Sequence, residues 1–320
     1  TPQNLGITYS GDYSANVNVT DVAITNAVTG FASELNEASE SAMMITGADE
    51  LVYHNNYVSD QHTGAQTVYL EAAYVYAAHN VLTGNIAGSE VMLVQFGGKN
   101  AADSQDYAYG VVADNAIWGN QATSEGFLTV ESMGLFGTEN IKVDNNTIAG
   151  NSGIVSDEGT HQAVNHALTA NGQGGQVVVG QNIIANNSDV VGSTISRVVD
   201  GDGGATVYEK VEHNALFNNG DGDERFEDVD GTNFTYYDPQ LGDTFYSRDS
   251  GVFIPGDVFP QNAAVQNIGG IEGLYPNASD PSVAGTPGVG GGMLGAGICD
   301  TLNDMNQAVY GTEYEGCPVE

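Results

Sequence analysis

One recurring pattern constrains this chain more than any other feature. After a short β-rich stretch comes an asparagine, one residue, an aliphatic residue, two more residues and usually a second asparagine. The copies are Tyr53-His54-Asn55-Asn56-Tyr57-Val58, Ala77-Ala78-His79-Asn80-Val81-Leu82 and Val112-Ala113-Asp114-Asn115-Ala116-Ile117. They continue as Val143-Asp144-Asn145-Asn146-Thr147-Ile148, Val179-Gly180-Gln181-Asn182-Ile183-Ile184 and Val211-Glu212-His213-Asn214-Ala215-Leu216. A weaker earlier copy centres on Asn26 and Val28. The second asparagine stands at Asn85, Asn120, Asn151, Asn187 and Asn219, with Gln61 in the first strong copy.

From Asn56 to Asn214 the first asparagines are spaced by 24, 35, 31, 36 and 32 residues. Such uneven spacing suits a solenoid whose coils carry loops of different length. One coil cannot bury its own apolar side chains, but stacked coils share a continuous core. Val58, Leu82, Ile117, Ile148, Ile184 and Leu216 are expected to form an inward aliphatic column. Asn56, Asn80, Asn115, Asn146, Asn182 and Asn214 are expected to stack as an amide ladder at a turn, each bonding its neighbours and the turn backbone. The stretches Ala42-Met43-Met44-Ile45, Thr67-Val68-Tyr69-Leu70, Val91-Met92-Leu93-Val94 and Leu128-Thr129-Val130 read as further strands. They are short, apolar or β-branched, and bounded by Gly, Asn, Asp and Ser. Helical periodicity is nearly absent; a weak candidate runs from Gly30 to Ser41.

These units place the expected fold in the all-β class, as a right-handed parallel β-helix. They resemble the pectate-lyase-like superfamily of right-handed parallel β-helix repeat proteins over roughly residues 15–220. Tyr237-Asp238-Pro239-Gln240-Leu241-Gly242-Asp243 and Leu294-Gly295-Ala296-Gly297 look like segments that close many secreted bacterial members. The resemblance implies a secreted, extracellular or cell-surface protein. It is nearly silent on activity, because that superfamily holds lyases, hydrolases, adhesins and phage spikes. Residues 1–233 read as the β-helix with an N-terminal cap, the cap extending to about Asn16. Residues 234–320 read as a loop-rich C-terminal segment that packs on or caps the solenoid, since Phe245, Tyr246, Phe253 and Phe259 need burial and exposed strand edges need covering. An uncapped end would let coils of neighbouring subunits stack into a filament.

Charge restricts the partners. Forty-one acidic against 6 basic residues give a formal charge of −35 at pH 7, which repels nucleic acid, anionic lipid and anionic polysaccharide. The same surface repels itself, so salt or divalent cations are expected to stabilise the fold. Either the charge simply keeps an exported protein soluble, or it serves a metal-dependent role. With 41% apolar residues a sizeable core is available. No apolar run approaches the roughly 20 residues that span a bilayer, so membrane insertion is not expected. The start, Thr1-Pro2-Gln3-Asn4, carries no basic and apolar leader and is compatible with a mature exported terminus. Cys299 and Cys317 suit one disulfide closing a terminal loop, worth roughly 3 kcal/mol; two buried thiols are the alternative. No histidine lies near either in sequence, so zinc is poorly supported there.

The residues for chemistry are sparse. Lyases of the resembled family use a basic residue beside a uronate carboxylate, often with calcium. Here Lys99, Lys142, Lys210, Arg197, Arg225 and Arg248 are scattered. Arg197 precedes Val198-Val199-Asp200-Gly201-Asp202-Gly203, the closest approach to an arginine beside calcium-binding aspartates. The family's hydrolase motifs (Asn-Thr-Asp, Asp-Asp, Gly-His-Gly and Arg-Ile-Lys) do not occur. A carboxylate pair could still hydrolyse a neutral glycan, although so many carboxylates make some pair inevitable. Asn55, His79, Asp114, Asn145, Gln181 and His213 precede the ladder asparagines and form a polar column, either a wet face or a binding one. His54, His62, His161 and His166 lack metal-ligand spacing. The best metal candidate is the run from Asn219 to Gly231, with Asp221, Asp223, Glu227, Asp228 and Asp230 as calcium ligands. It departs from the EF-hand, because Glu224 stands where the turn glycine belongs. No Thr-x-Thr column repeats, which sets ice binding aside.

Two classes of function compete. One is a non-catalytic extracellular or cell-surface protein with a structural, adhesive or filament-forming role, calcium-supported, with itself or a neutral glycan as partner. The other is a carbohydrate-active enzyme, a polysaccharide lyase or glycoside hydrolase. The shortage of basic residues and the missing hydrolase motifs favour the first.

Overall fold

Asn-rich turns alternate with short β-branched runs, and in a computed structural model this produces an all-β chain of parallel strands. The structure describes residues 7–25, 41–97, 109–123, 126–132, 140–155, 161–171, 176–180, 182–192, 194–196, 207–212, 214–217, 219–220 and 234–235. Among these there are three sheets, of 12, 8 and 5 strands, and no helix. Each strand pairs in parallel with its counterpart one repeat away. The single antiparallel pairing among the described residues joins Ser152–Val155 to His161–Gln162. The helix candidate at Gly30 to Ser41 lies almost wholly outside the described residues.

A repeat is easiest to follow in its first full copy. Met43–His54 belongs to the long sheet, Tyr57–Ser59 to the second and His62–Thr63 to the third. The next copy repeats the order with Val68–Ala78, Val81–Thr83 and Ile86–Ala87. From the third copy onward the long strand is divided in two. Met92–Phe96 pairs with the first half of Val68–Ala78, and Tyr109–Ala113 with its second half. The later divisions are Leu128–Ser132 with Asn140–Asp144, Leu168–Asn171 with Gln176–Gly180, and Ile195–Ser196 with Val207–Glu212. The uneven intervals of the sequence thus arise in two places: the middle of the long strand, and, in the longest interval, the stretch between Asn151 and Leu168 that holds His161–Gln162.

Alternation along the strands decides which side chains enter the core. In Met43–His54, Met43, Ile45, Leu51 and Tyr53 are buried, while Met44, Val52 and His54 reach the outside in part. A bulge at Thr46 and Gly47 places two residues opposite Glu71. The second sheet carries the aliphatic column in register: Ile24↔Val58↔Leu82↔Ile117↔Ile148↔Ile184↔Leu216. Val58, Leu82, Ile117, Ile148 and Ile184 are fully buried.

That register corrects the early copy of the repeat. Ile24, rather than Val28, faces Val58, so the turn of that copy is Asp21–Val22 and not Asn26, which lies outside the described residues. Valine therefore stands where the later copies have their ladder asparagine, and the Asn-x-aliphatic pattern could not find it. At the other end, Phe234–Thr235 pairs in parallel with Asn214–Phe217, so parallel pairing continues past residue 233. Other than these two residues, 234–320 lies outside the described residues, and with it Cys299 and Cys317.

Candidate functional site

Two turns flank each second-sheet strand, and each turn has an inside and an outside. Inside the first turn, Asn56, Asn80, Asn115, Asn146 and Asn182 are fully buried. The carboxamide oxygen of Asn80 accepts from both the backbone N–H and Nδ2 of Asn56, each at 3.0 Å. Asn115 accepts likewise from Asn80, Asn146 from Asn115, and Asn182 from Asn146. The second hydrogen of each Nδ2 goes to a strand carbonyl of the preceding repeat: Asn80 to Tyr53, Asn115 to Ala77, Asn146 to Val112 and Asn182 to Val143. Amides that would be costly to bury are thereby satisfied on every side. Asn214 begins its strand one register step before Ala215, the partner of Ile183; its side chain lies outside the described residues.

A second ladder of the same kind runs through the other turn. Asn85, Asn120, Asn151, Asn187 and Asn219 repeat these bonds, with Gln61 donating its N–H to Asn85 at the near end. Their Nδ2 groups also reach back to Val58, Leu82, Ile117, Ile148 and Ile184 carbonyls. The signal was present in the sequence as the second asparagine of each unit. The first ladder stops at the early copy: Val22 donates its N–H to Asn56 Oδ1 but has no carboxamide to pass on.

Outside the first turn lies the polar column. Asp21, Asn55, His79, Asp114 and Asn145 all have φ between 54° and 57°. This left-handed conformation is most readily taken by Gly, Asn, Asp and His, so backbone geometry accounts for the polar residue types. Gln181 and His213 of the column lie outside the described residues.

The outer face of the long sheet carries the other polar groups. Tyr69, Glu71, Gln95 and Glu131 are linked across three strands, since Glu71↔Gln95↔Glu131 are in register. The single O–H of Tyr69 is shared between Glu71 Oε2, at 3.0 Å, and Gln95 Oε1, and Gln95 Nε2 donates to Glu131 Oε2 at 3.0 Å. Tyr13 also donates to Glu71. Burial pushes the Glu71 carboxyl above its ordinary value, and burial followed by Glu131 pushes the Tyr69 phenol up. Sequence reasoning missed this cluster. Its signal was the fourth residue of aligned strands, in Val68-Tyr69-Leu70-Glu71, Met92-Leu93-Val94-Gln95 and Leu128-Thr129-Val130-Glu131.

Further along the same face, Glu50, Tyr74, Tyr76 and Val111 line a shallow cleft over Leu51, Val75 and Gly110. Tyr76 is 42% exposed and stacks on His54, with ring centres 6.1 Å apart. His79 meets His54 edge-on at 5.1 Å, and its Nε2 lies 3.9 Å from Asp114 Oδ2. Burial first, then His79, hold the His54 imidazole below its ordinary range, against the opposing pull of Asp21.

The remaining sequence candidates are dispersed. Lys142 is exposed in the row Val52↔Tyr76↔Val111↔Lys142, and the register continues to Val178 and Lys210. His62 sits in the third sheet, and His161 in the antiparallel pair. Lys99, Arg197, Arg225 and Arg248 lie outside the described residues, as do Asp221, Asp223, Glu227, Asp228 and Asp230. Among the described residues no group of three or more His, Cys, Asp or Glu side chains is gathered for a metal ion, and no helix is long and apolar enough to cross a membrane. Compared with known protein families, curated proteins and solved structures, the chain matches none.

Proposed function

We propose that the three sheets wind as a right-handed parallel β-helix of the pectate-lyase-like kind, and that this solenoid acts as a stiff, non-catalytic element outside the cell. Parallel strands of one sheet joined by crossovers favour the right-handed connection. The observation that carries the function is the commitment of the inner polar groups: two amide ladders spend their hydrogen-bonding capacity on holding repeats together. Such a body is a spacer or adhesive platform for a second protein surface or a neutral glycan. Calcium at Asp221, Asp223, Glu227, Asp228 and Asp230 would relieve local repulsion and support it. Termination of the first ladder at Val22 weighs against filament growth from that end, because a preceding coil would find no carboxamide to bond.

The enzyme reading has one observation in its favour. Glu71 and Glu131 lie two strands apart, about 9–10 Å at ordinary strand spacing, near the upper limit for an inverting glycoside hydrolase. Gln95 occupies the register position between them and donates to Glu131, where such a mechanism needs a water. This weighs against it. Incubation with neutral and acidic polysaccharides, followed by assay for unsaturated or reducing ends, separates the readings. No product is expected; product formed by the native chain and lost in Glu71→Gln would establish the enzyme. Electron microscopy with and without calcium should show separate particles, and filaments would restore self-assembly as the role.

A further inference from the structure

Inside the first turn the asparagine is required by the ladder, whereas outside it the backbone asks only for a residue that tolerates positive φ. Asn55, Asp114 and Asn145 meet that need without an imidazole. His79 therefore brings a group the turn does not demand, and it places that group against a second imidazole, His54, at the end of the neighbouring strand.

The separation of the two rings is informative. An imidazole nitrogen binds a borderline divalent cation at about 2.1 Å, which puts the ring centre roughly 3.2 Å from the ion. Two such rings at a tetrahedral angle have centres about 5.2 Å apart. The observed separation is 5.1 Å, with the ring planes inclined at 71°. Asp114 Oδ2 lies 3.9 Å from His79 Nε2, longer than a hydrogen bond, so a small rotation of either side chain would bring it into the position from which carboxylates commonly orient ligating histidines.

We infer that His54 and His79 form a two-imidazole site for a borderline divalent cation, Zn2+ or Cu2+, on the outside of the first turn, with solvent completing the coordination. Nitrogen ligands distinguish this site from the oxygen-rich calcium loop proposed at residues 221–230, and the two are independent. Tyr76, stacked on His54, limits the swing of that ring.

The test is calorimetric titration of the full chain with ZnCl2 and with CuCl2, in a millimolar excess of Mg2+ to occupy the diffuse acidic surface. Imidazole proton resonances are followed in parallel. One cation per chain is expected, Cu2+ bound more tightly than Zn2+, with the His54 and His79 resonances moving first. His79→Asn retains a residue suited to the turn, and His54→Gln retains a polar side chain of similar reach. Each should weaken binding by about tenfold or more, while His62→Ala leaves it unchanged. Unchanged affinity in both variants, displacement of Zn2+ by equimolar Ca2+, or first movement of other histidine resonances would overturn the assignment.

Discussion

The two turns of each repeat are alike within and different without. Inside, both carry the same buried asparagine ladder with the same three kinds of hydrogen bond. Outside, both require a left-handed residue just before the asparagine. The first turn uses Asp21, Asn55, His79, Asp114 and Asn145, whereas the second uses Asp60, Gly84, Gly119, Gly150 and Asn186. Glycine meets the backbone requirement at no steric cost. A turn that dispenses with side chains in three copies shows what the fold needs; one that keeps them in every described copy carries surface the fold does not dictate. Inner identity is architecture, and outer difference is where ligands are to be sought.

Removing a rung tests the inner half of this comparison most severely. Asn115→Ala strands the N–H of Asn80 and one hydrogen of its Nδ2, takes a donor from the Ala77 carbonyl, and leaves Asn146 Oδ1 with only the residue-115 backbone N–H. Urea denaturation should show a loss of about 3–6 kcal/mol at roughly 1–3 kcal/mol per orphaned buried group. Asn120→Ala should cost a similar amount in the second ladder. A loss below about 1 kcal/mol in either would mean the ladder is incidental. Next in size is Ile117→Ala, which opens a hole between Leu82 and Ile148 and should cost about 3 kcal/mol.

The outer half gives smaller effects. Gly84→Val forces a β-branched residue into positive φ and should lower stability by about 1–2 kcal/mol, whereas His79→Asn should be neutral within about 0.5 kcal/mol. Equal losses at the two sites would erase the distinction between the turns. The smallest effect concerns Glu71, whose carboxyl is raised by burial. A raised acid binds its proton more firmly when folded, so its contribution is fully present below the unfolded value and is lost as pH rises through the folded one. Melting temperatures of Glu71→Gln should therefore fall less than those of the native chain over that window; identical profiles would contradict the assigned direction.

Much of the architecture was legible because a ladder writes itself into the sequence. Only a carboxamide supplies two donors and a doubly accepting oxygen at a fixed distance from the backbone, so Asn80, Asn115 and Asn146 could not be disguised. Where the rung is Val22 the pattern vanished, and the early copy was placed four residues too late. The aliphatic column was readable for the same reason, each member standing two residues after its asparagine. The outer cluster was not, because Glu71, Gln95 and Glu131 are brought together by registers of 24 and 36 residues that only the pairing reveals. The His54–His79 contact was hidden similarly: each histidine was visible, but the step between repeats that joins them was not.

Native-state hydrogen exchange tests the central claim most directly. If the ladders hold the repeats together, the backbone amides of Asn80, Asn115, Asn120 and Asn151, although they lie in turns, will exchange as slowly as those of Ile117 and Val143 in the sheets. Exchange of these four amides at the rate of an open surface turn, with the strand amides still protected, would contradict it.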